Sequence, residues 1–286
     1  MKHIMQSIYK YGLWAVILLS FASCDLEQEI DLELPVYEAQ LVIESYLQPG
    51  EPFTLLLTQS AGYFDPFPTE NDEFLEQILV DDAQVAILHN GNRYELENGL
   101  FFNPFTLQLF NYGTTEIMPE DFDNDFELEV ITATGQRATA STRLLAPVPL
   151  DSIIFDGNNS ADSTFSALTY FEDEFRESDN FYRFMIHRAT LDSLYSDFVF
   201  SDRVVETSTV VVGTAPDFEV GDTLINTLIH ITPEYYDFYN SVQGAIFSNG
   251  NPFAQPGGII SNIEGDANAT GIFTTLQIDR VTSIIE

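Results

Sequence analysis

Positive charge, thiols and catalytic signatures are all scarce in this sequence. Cys24 is the only cysteine in 286 residues, so no internal disulfide can form and any core must hold by packing alone. Lys2 and Lys10 are the only lysines. From Cys24 onward, eight arginines stand against 45 aspartates and glutamates, which takes the whole-chain formal charge of −35 to 8 − 45 = −37. Such a surface repels nucleic acid and anionic headgroups, which excludes polyanion binding. It fits a salty habitat, where the screening length falls to about 3 Å at 1 M, or a simple need for solubility. No G-x-S-x-G elbow, H-E-x-x-H pair or phosphate-binding loop occurs. His89, His187 and His230 lie far apart and read as sheet-face histidines rather than as ligands or general bases. A glycosidase needs two positioned acids, and no pair among 45 is singled out, so no catalytic residue is assigned and the chain is read as non-enzymatic.

What is present begins with a leader. Lys2 and Lys10 precede an apolar run from Leu13 to Ala22, and the small Ala22 and Ser23 stand directly before Cys24, the anatomy of a secretory signal with its cleavage point. A helix from Tyr11 to Ser23 would rise roughly 20 Å, short of the roughly 30 Å hydrocarbon core that a spanning helix must cross. Residues 1–23 are therefore expected to be a lipoprotein signal peptide and Cys24 the lipid-bearing first residue of the mature chain. Several acyl chains on one cysteine make a durable membrane anchor. Residues 24–35, with Asp25, Glu27, Glu29, Asp31 and Glu33, form a self-repelling acidic tether. The tether is similar to the signal with which some Bacteroidota send lipoproteins to the outer face of the outer membrane.

The rest reads as mainly β. In residues 36–145, Leu41–Ile43 begins a strand, Phe53, Leu55 and Leu57 alternate with threonine and leucine, and Asn90-Gly91 is a hairpin turn. Phe126, Leu128 and Val130 alternate with Glu127 and Glu129 before a turn at Gly135. Short strands at this spacing predict an N-terminal immunoglobulin- or fibronectin-like sandwich. Residues 146–150, Ala-Pro-Val-Pro-Leu, are the expected link. Residues 151–286 are expected to form a second β-rich domain with one or two short helices. One helix has a clear start, where Thr232 caps, Pro233 takes the first turn, and Tyr235, Phe238 or Tyr239, Val242 and Ile246 follow at helical spacing.

Two further features bear on binding. Asp121, Asp123 and Asp125 are the calcium candidates, since alternate aspartates can present several oxygens to the ion. Phe122 and Phe126 interleave them and the central glycine of a calcium loop is missing, so a solvated turn is the preferred reading, and no cofactor is expected otherwise. Phe101, Phe102, Phe105 and Phe110 near Tyr112, and Tyr235 to Tyr239, are rich in aromatics. Strand and helix positions favour a core role for them; if exposed, they suit stacking on sugars or seating on a receptor.

Leu41-Val42-Ile43-Glu44-Ser45, Phe181-Tyr182-Arg183, Phe200-Ser201-Asp202, Ile231 to Tyr236, Ser261 to Gly265 and Gly271-Ile272-Phe273 fall in an order that resembles the Bacteroidota lipoprotein family catalogued as domain of unknown function 4249. The chain departs from the family's usual pattern at Ser45, where glycine is common, and at Glu264. The resemblance implies an outer-membrane lipoprotein, lipid-anchored and facing the extracellular side, that serves as an accessory subunit to a TonB-dependent receptor in nutrient capture or uptake. The alternatives are a free-standing glycan-binding or adhesion module and a surface hydrolase.

Overall fold

Apolar residues at every second position set the strands of the first half. In β1 (Leu41–Leu47) and β2 (Pro52–Gln59) the inward positions Ile43, Phe53, Leu55 and Leu57 are fully buried while their neighbours are only partly covered. The computed structural model describes residues 39–61, 71–103, 108–157, 164–173, 179–204, 207–249 and 258–286. Cys24, the leader and the acidic tether lie outside the described residues, as does Phe105.

A short helix α1 (Asn71–Ile78) follows β2, where the sequence was expected to be β throughout. Next come β3 (Gln84–His89), β4 (Asn92–Asn103), β5 (Gln108–Ile117), β6 (Phe126–Ile131) and β7 (Arg137–Thr142). Asn90 and Gly91 both take left-handed backbone angles, φ 46° and 77°, which is the two-residue turn whose twist matches the flanking strands β3 and β4. Beyond the link come β8 (Leu150–Gly157), β9 (Phe165–Glu172), β10 (Phe181–Arg188), β11 (Leu194–Ser201), β12 (Thr209–Gly213) and β13 (Thr223–Ile231). The long helix α2 (Pro233–Asn249) then precedes β14 (Glu264–Gly265), β15 (Ala269–Thr275) and β16 (Gln277–Ile284). Thr232 caps α2 as its residue type demands, accepting the Tyr235 amide on its hydroxyl at 3.3 Å.

The strands form three sheets. Nine run in the order β14-β7-β6-β3-β4-β5-β2-β1-β15, and inward residues from both ends of that order, Ala138 of β7 and Phe273 of β15, share one core with Phe53, Val85 and Phe126. A four-stranded sheet, β11-β10-β13-β16, and a three-stranded sheet, β12-β9-β8, enclose a second core containing Phe171, Tyr182, Phe184 and Leu228. The protein is therefore mainly β: the nine-stranded sheet curls over its own core, as in a sandwich or barrel, and the second core lies between two sheets. Among the described residues no helix is long and apolar enough to cross a membrane.

The link and the C-terminal strands tie the halves together. Ala146 accepts a hydrogen bond on its carbonyl from His230 Nδ1 at 2.8 Å, and the Leu150 amide donates to Asp279 at 2.7 Å. Strands β14 and β15, although C-terminal to the link, pair with β7 and β1 of the first sheet, β15 in parallel with β1. Asn262 holds β15 as a third strand would, donating to the Phe273 carbonyl at 2.8 Å and accepting the Phe273 amide at 3.0 Å. A third cluster joins Ile229, Ile231 and Tyr235 to Ile272 and Leu276, with Tyr46 and Phe181 packed against it. Ser45 is buried and donates to the Thr54 carbonyl at 2.8 Å.

Candidate functional site

The Asp121–Asp125 stretch is a turn whose oxygens are largely committed to protein groups. Asp121 accepts the amides of Asp123 and Asn124 and the Asn124 side chain, at 2.9, 3.2 and 2.9 Å, and its Oδ2 lies 3.2 Å from His89 Nε2. The Asn124 side-chain bond, followed by the Asp123 amide, holds the Asp121 carboxyl below the usual carboxylate range. Asp125 pairs with Arg143 at 2.6 Å, and its carbonyl lies 3.1 Å from His89 Nδ1. The buried His89 ring stacks on Phe126 at 3.8 Å. Among the described residues no group of three or more His, Cys, Asp or Glu side chains is arranged to hold a metal ion. Asp121 and Asp125 thus tie down the entry to β6, and Asp123 contributes its amide to the turn.

A second polar cluster is buried beside Tyr182 of the second core. Asn180 donates to Asp173 at 3.3 Å and to Asp202 at 2.9 Å, bridging two carboxylates that are almost wholly removed from solvent. Tyr182 and His230 stack beside them at 5.2 Å. Burial, followed by the Asp173 charge, raises the Tyr182 hydroxyl far above its usual range, so it stays protonated. Burial also lowers His230, which is held as the neutral ring whose Nδ1 proton serves the Ala146 carbonyl. The cluster fixes the start of β10, the end of β13 and the Pro-rich link.

The third constellation lies on the outer face of the four-stranded sheet. Arg183 Nε and Nη2 donate to the two oxygens of Asp197 at 2.8 and 2.7 Å, while Nη1 donates to the Tyr235 hydroxyl at 2.6 Å. Its guanidinium carbon stands 5.1 Å from the centre of the Tyr239 ring. Tyr46 packs edge-on to Tyr235 at 5.9 Å and donates to Glu44 at 3.0 Å. Burial opposes the charge on Arg183, but the Asp197 carboxylate and the tyrosines outweigh it, so the guanidinium is held firmly ionised. Burial likewise pushes Tyr46, Tyr235 and Tyr239 up, leaving three neutral hydroxyls. This latch fastens α2 to β10 and β11 and brings it against β1. The sequence signal for it is an arginine inside the apolar run Phe181–Ile186.

The aromatic segments divide. Phe110 and Tyr112 are core, while Leu100, Phe101 and Phe102 on β4 are 60%, 44% and 59% exposed. Phe101 lies over Gly99 and Gly113, whose missing side chains leave room for its ring. Phe102 and Leu100 therefore form the open apolar face of this hairpin, beside a hollow of about 520 Å³ lined by Leu75, Leu79, Asn98 and Leu100. Tyr235 is buried as expected, but Ile246, expected on the packed face of α2, is 61% exposed, and Phe247 beside it is exposed as well.

Fold and clusters together define a mainly β protein whose described polar groups largely bind its own elements to one another and whose open apolar groups lie at a hairpin and a helix end. The chain belongs to the family described as Domain of unknown function (DUF4249), which matches residues 27–281. Comparison with curated proteins returns no match.

Proposed function

We propose that this protein is a non-enzymatic lipoprotein of the outer membrane, facing outward, that serves as an accessory subunit to a TonB-dependent receptor in nutrient capture or uptake. The observation that carries the reading is Cys24, set between an apolar leader with small residues before it and an acidic tether after it. A lipid on Cys24 confines the protein to the plane of its receptor, and the effective concentration this creates lets a modest interface suffice. The open Leu100 and Phe102 side chains support such an interface, because exposed aromatic groups anchor protein contacts. The same side chains favour, as a second reading, a module that stacks on glycans without a receptor.

The test is affinity capture of the C-terminally tagged full chain from detergent-solubilised membranes of its own host, with Cys24→Ser alongside. The expected result is one large β-barrel protein recovered with the wild type, and release of Cys24→Ser from the membrane fraction. Mass spectrometry showing a free Cys24 thiol overturns the anchor. Recovery of no barrel protein, together with retained binding on a glycan array, replaces the accessory role with the second reading. Turnover that vanishes on replacing a single carboxylate would replace both with a hydrolase.

A further inference from the structure

The outer face of the four-stranded sheet also carries an arginine, Arg280, that takes no part in the Arg183 latch. Register places it. Met185 of β10 lies opposite Thr227 of β13, Thr227 lies opposite Arg280 of β16, and His187 lies opposite Ile225, one same-face position further along β10 and β13. Residues alternate across a strand, so Arg183, Met185, His187, Ile225, Thr227 and Arg280 all belong to one face.

On this face Arg280 is the unusual residue. It is one of only eight arginines in a chain with 45 acids, yet no carboxylate lies within ion-pair distance among the described residues. Its Nε donates to the buried Thr227 hydroxyl at 3.0 Å, which draws the side chain inward over β13. The two terminal Nη groups donate to no described protein acceptor. His187, 7% exposed, makes no hydrogen bond within the described residues, and its Nδ1 is buried without a partner. The other charged and titratable groups facing it are Asp197 of β11, whose two oxygens are held by Arg183, Tyr235 and Tyr239 of α2, and Glu44 and Tyr46 of β1, which are bonded to each other. Strand β13 stands between the two residues, and the bond to Thr227 carries the Arg280 side chain across onto that strand; burial, and after it the Arg280 charge, lowers the His187 pKa. On the β16 side the face is open to solvent at Arg280, Thr282 and Ile284.

We infer that Arg280 and His187, with Thr227 fixing the arginine, form a binding site for a carboxylate group on the outer face of the four-stranded sheet. The planar fork of a guanidinium matches two carboxylate oxygens, and an imidazole beside it supplies a further donor. The strongly negative field of the whole protein repels polyanions, so the group belongs to a small molecule of low total charge, such as a sugar acid or a peptide C-terminus. The site stands on the sheet alone and does not require the receptor or the lipid.

Both sources can be compared by titrating the mature chain with glucuronate and with N-acetylglycylglycine, and by including inorganic phosphate as a third probe, while following the His187 ring signals by NMR. The expected result is a saturable shift with at least one carboxylate, weakened about tenfold in Arg280→Gln and less in Arg280→Lys, which keeps the charge but loses the fork. Stronger binding of glucuronate assigns a sugar acid, and stronger binding of the dipeptide assigns a peptide terminus. Three results would overturn the inference: no saturable shift up to about 10 mM with either carboxylate, equal shifts in wild type and folded Arg280→Gln, or phosphate binding more tightly than both. Should Arg280→Gln lose its fold by circular dichroism, Arg280→Lys and His187→Gln make the same comparison.

Discussion

A Cβ atom on Gly271 would lie 1.9 Å from the carbonyl oxygen of Ile43, so the parallel pairing of β15 with β1 requires glycine at that position. Its φ of 129° is also one that side-chain-bearing residues rarely adopt. Gly271→Ala is therefore expected to push the C-terminal strand off the first sheet and to cost about 3 kcal/mol or more. Gly50→Ala supplies the contrast. Its φ of 82° is left-handed too, but nothing stands within 4 Å of the added carbon, so the expected cost is only about 1 kcal/mol. Urea denaturation of both variants separates crowding from backbone strain; equal midpoints would remove the special role given to Gly271.

Asn111 substitutes for a stretch of missing ladder. The pairing of β2 with β5 stops at Leu55 and Tyr112, and two residues on from Leu55 the Asn111 side chain accepts the Leu57 amide at 2.7 Å. It also donates to the Leu57 and Val80 carbonyls at 2.9 and 2.8 Å. Asn111→Ala takes this partner from the Leu57 amide and the Val80 carbonyl, whereas the Leu57 carbonyl keeps the Val80 amide at 3.1 Å, so at about 1 kcal/mol or more for each orphaned group a loss of about 2 kcal/mol is expected. Hydrogen exchange should show faster opening at Leu57 first. Unchanged exchange there would mean that water replaces the amide without cost.

His230 sets the sign of the pH dependence near neutrality. Burial depresses its folded pKa below the unfolded value of about 6.5, so the unfolded chain binds the proton more readily. The stability this contributes is complete above the unfolded value and is lost as pH falls through it toward the folded one. His187 is shifted the same way and adds to the slope. Urea midpoints measured at about pH 7.5 and about pH 5.5, above the range where most carboxylates titrate, should fall on acidification, and His230→Gln should flatten the change. A midpoint that rises on acidification would contradict a neutral, buried His230.

Part of this was legible in the residues alone. Alternation in Phe53–Leu57 and Phe126–Val130, the turns at Asn90-Gly91 and Gly135, and the Thr232-Pro233 start of α2 all follow from local chemistry, and each is present. By contrast β13 is buried at almost every position because sheet neighbours and packing cover both of its faces, so it carries no alternating signal. Helix α1 is eight residues rich in acids and amides, too short to show a period. The partners of β15 and β14 could not be read locally either, since Ile43 and Gly271, or Arg137 and Asp266, meet only in three dimensions. The polar clusters have the same origin. Arg183 and Asp197 sit on adjacent strands, but Tyr235 and Tyr46 reach them from a helix and from the first sheet. Sequence could mark the arginine as out of place in an apolar run; only the fold shows what it holds.

Phe102 gives the sharpest test of the proposed partner surface, because its exposure separates binding from folding. At 59% exposed it contributes little buried area, and its removal is expected to change stability by no more than about 0.5 kcal/mol. Phe101 differs: its ring covers Gly99 and Gly113, so Phe101→Ser should lower stability by about 1 kcal/mol or more through lost packing on the hairpin. If Leu100 and Phe102 seat on the receptor, Phe102→Ser should reduce recovery of the barrel protein at least fivefold, as expected for a central aromatic anchor worth about 1 kcal/mol or more. Its urea midpoint should stay at the wild-type value. Loss of recovery with Phe101→Ser alone would trace the effect to a distorted hairpin, and undiminished recovery with Phe102→Ser would move the contact surface elsewhere, the exposed Ile246 and Phe247 at the end of α2 being the next to substitute.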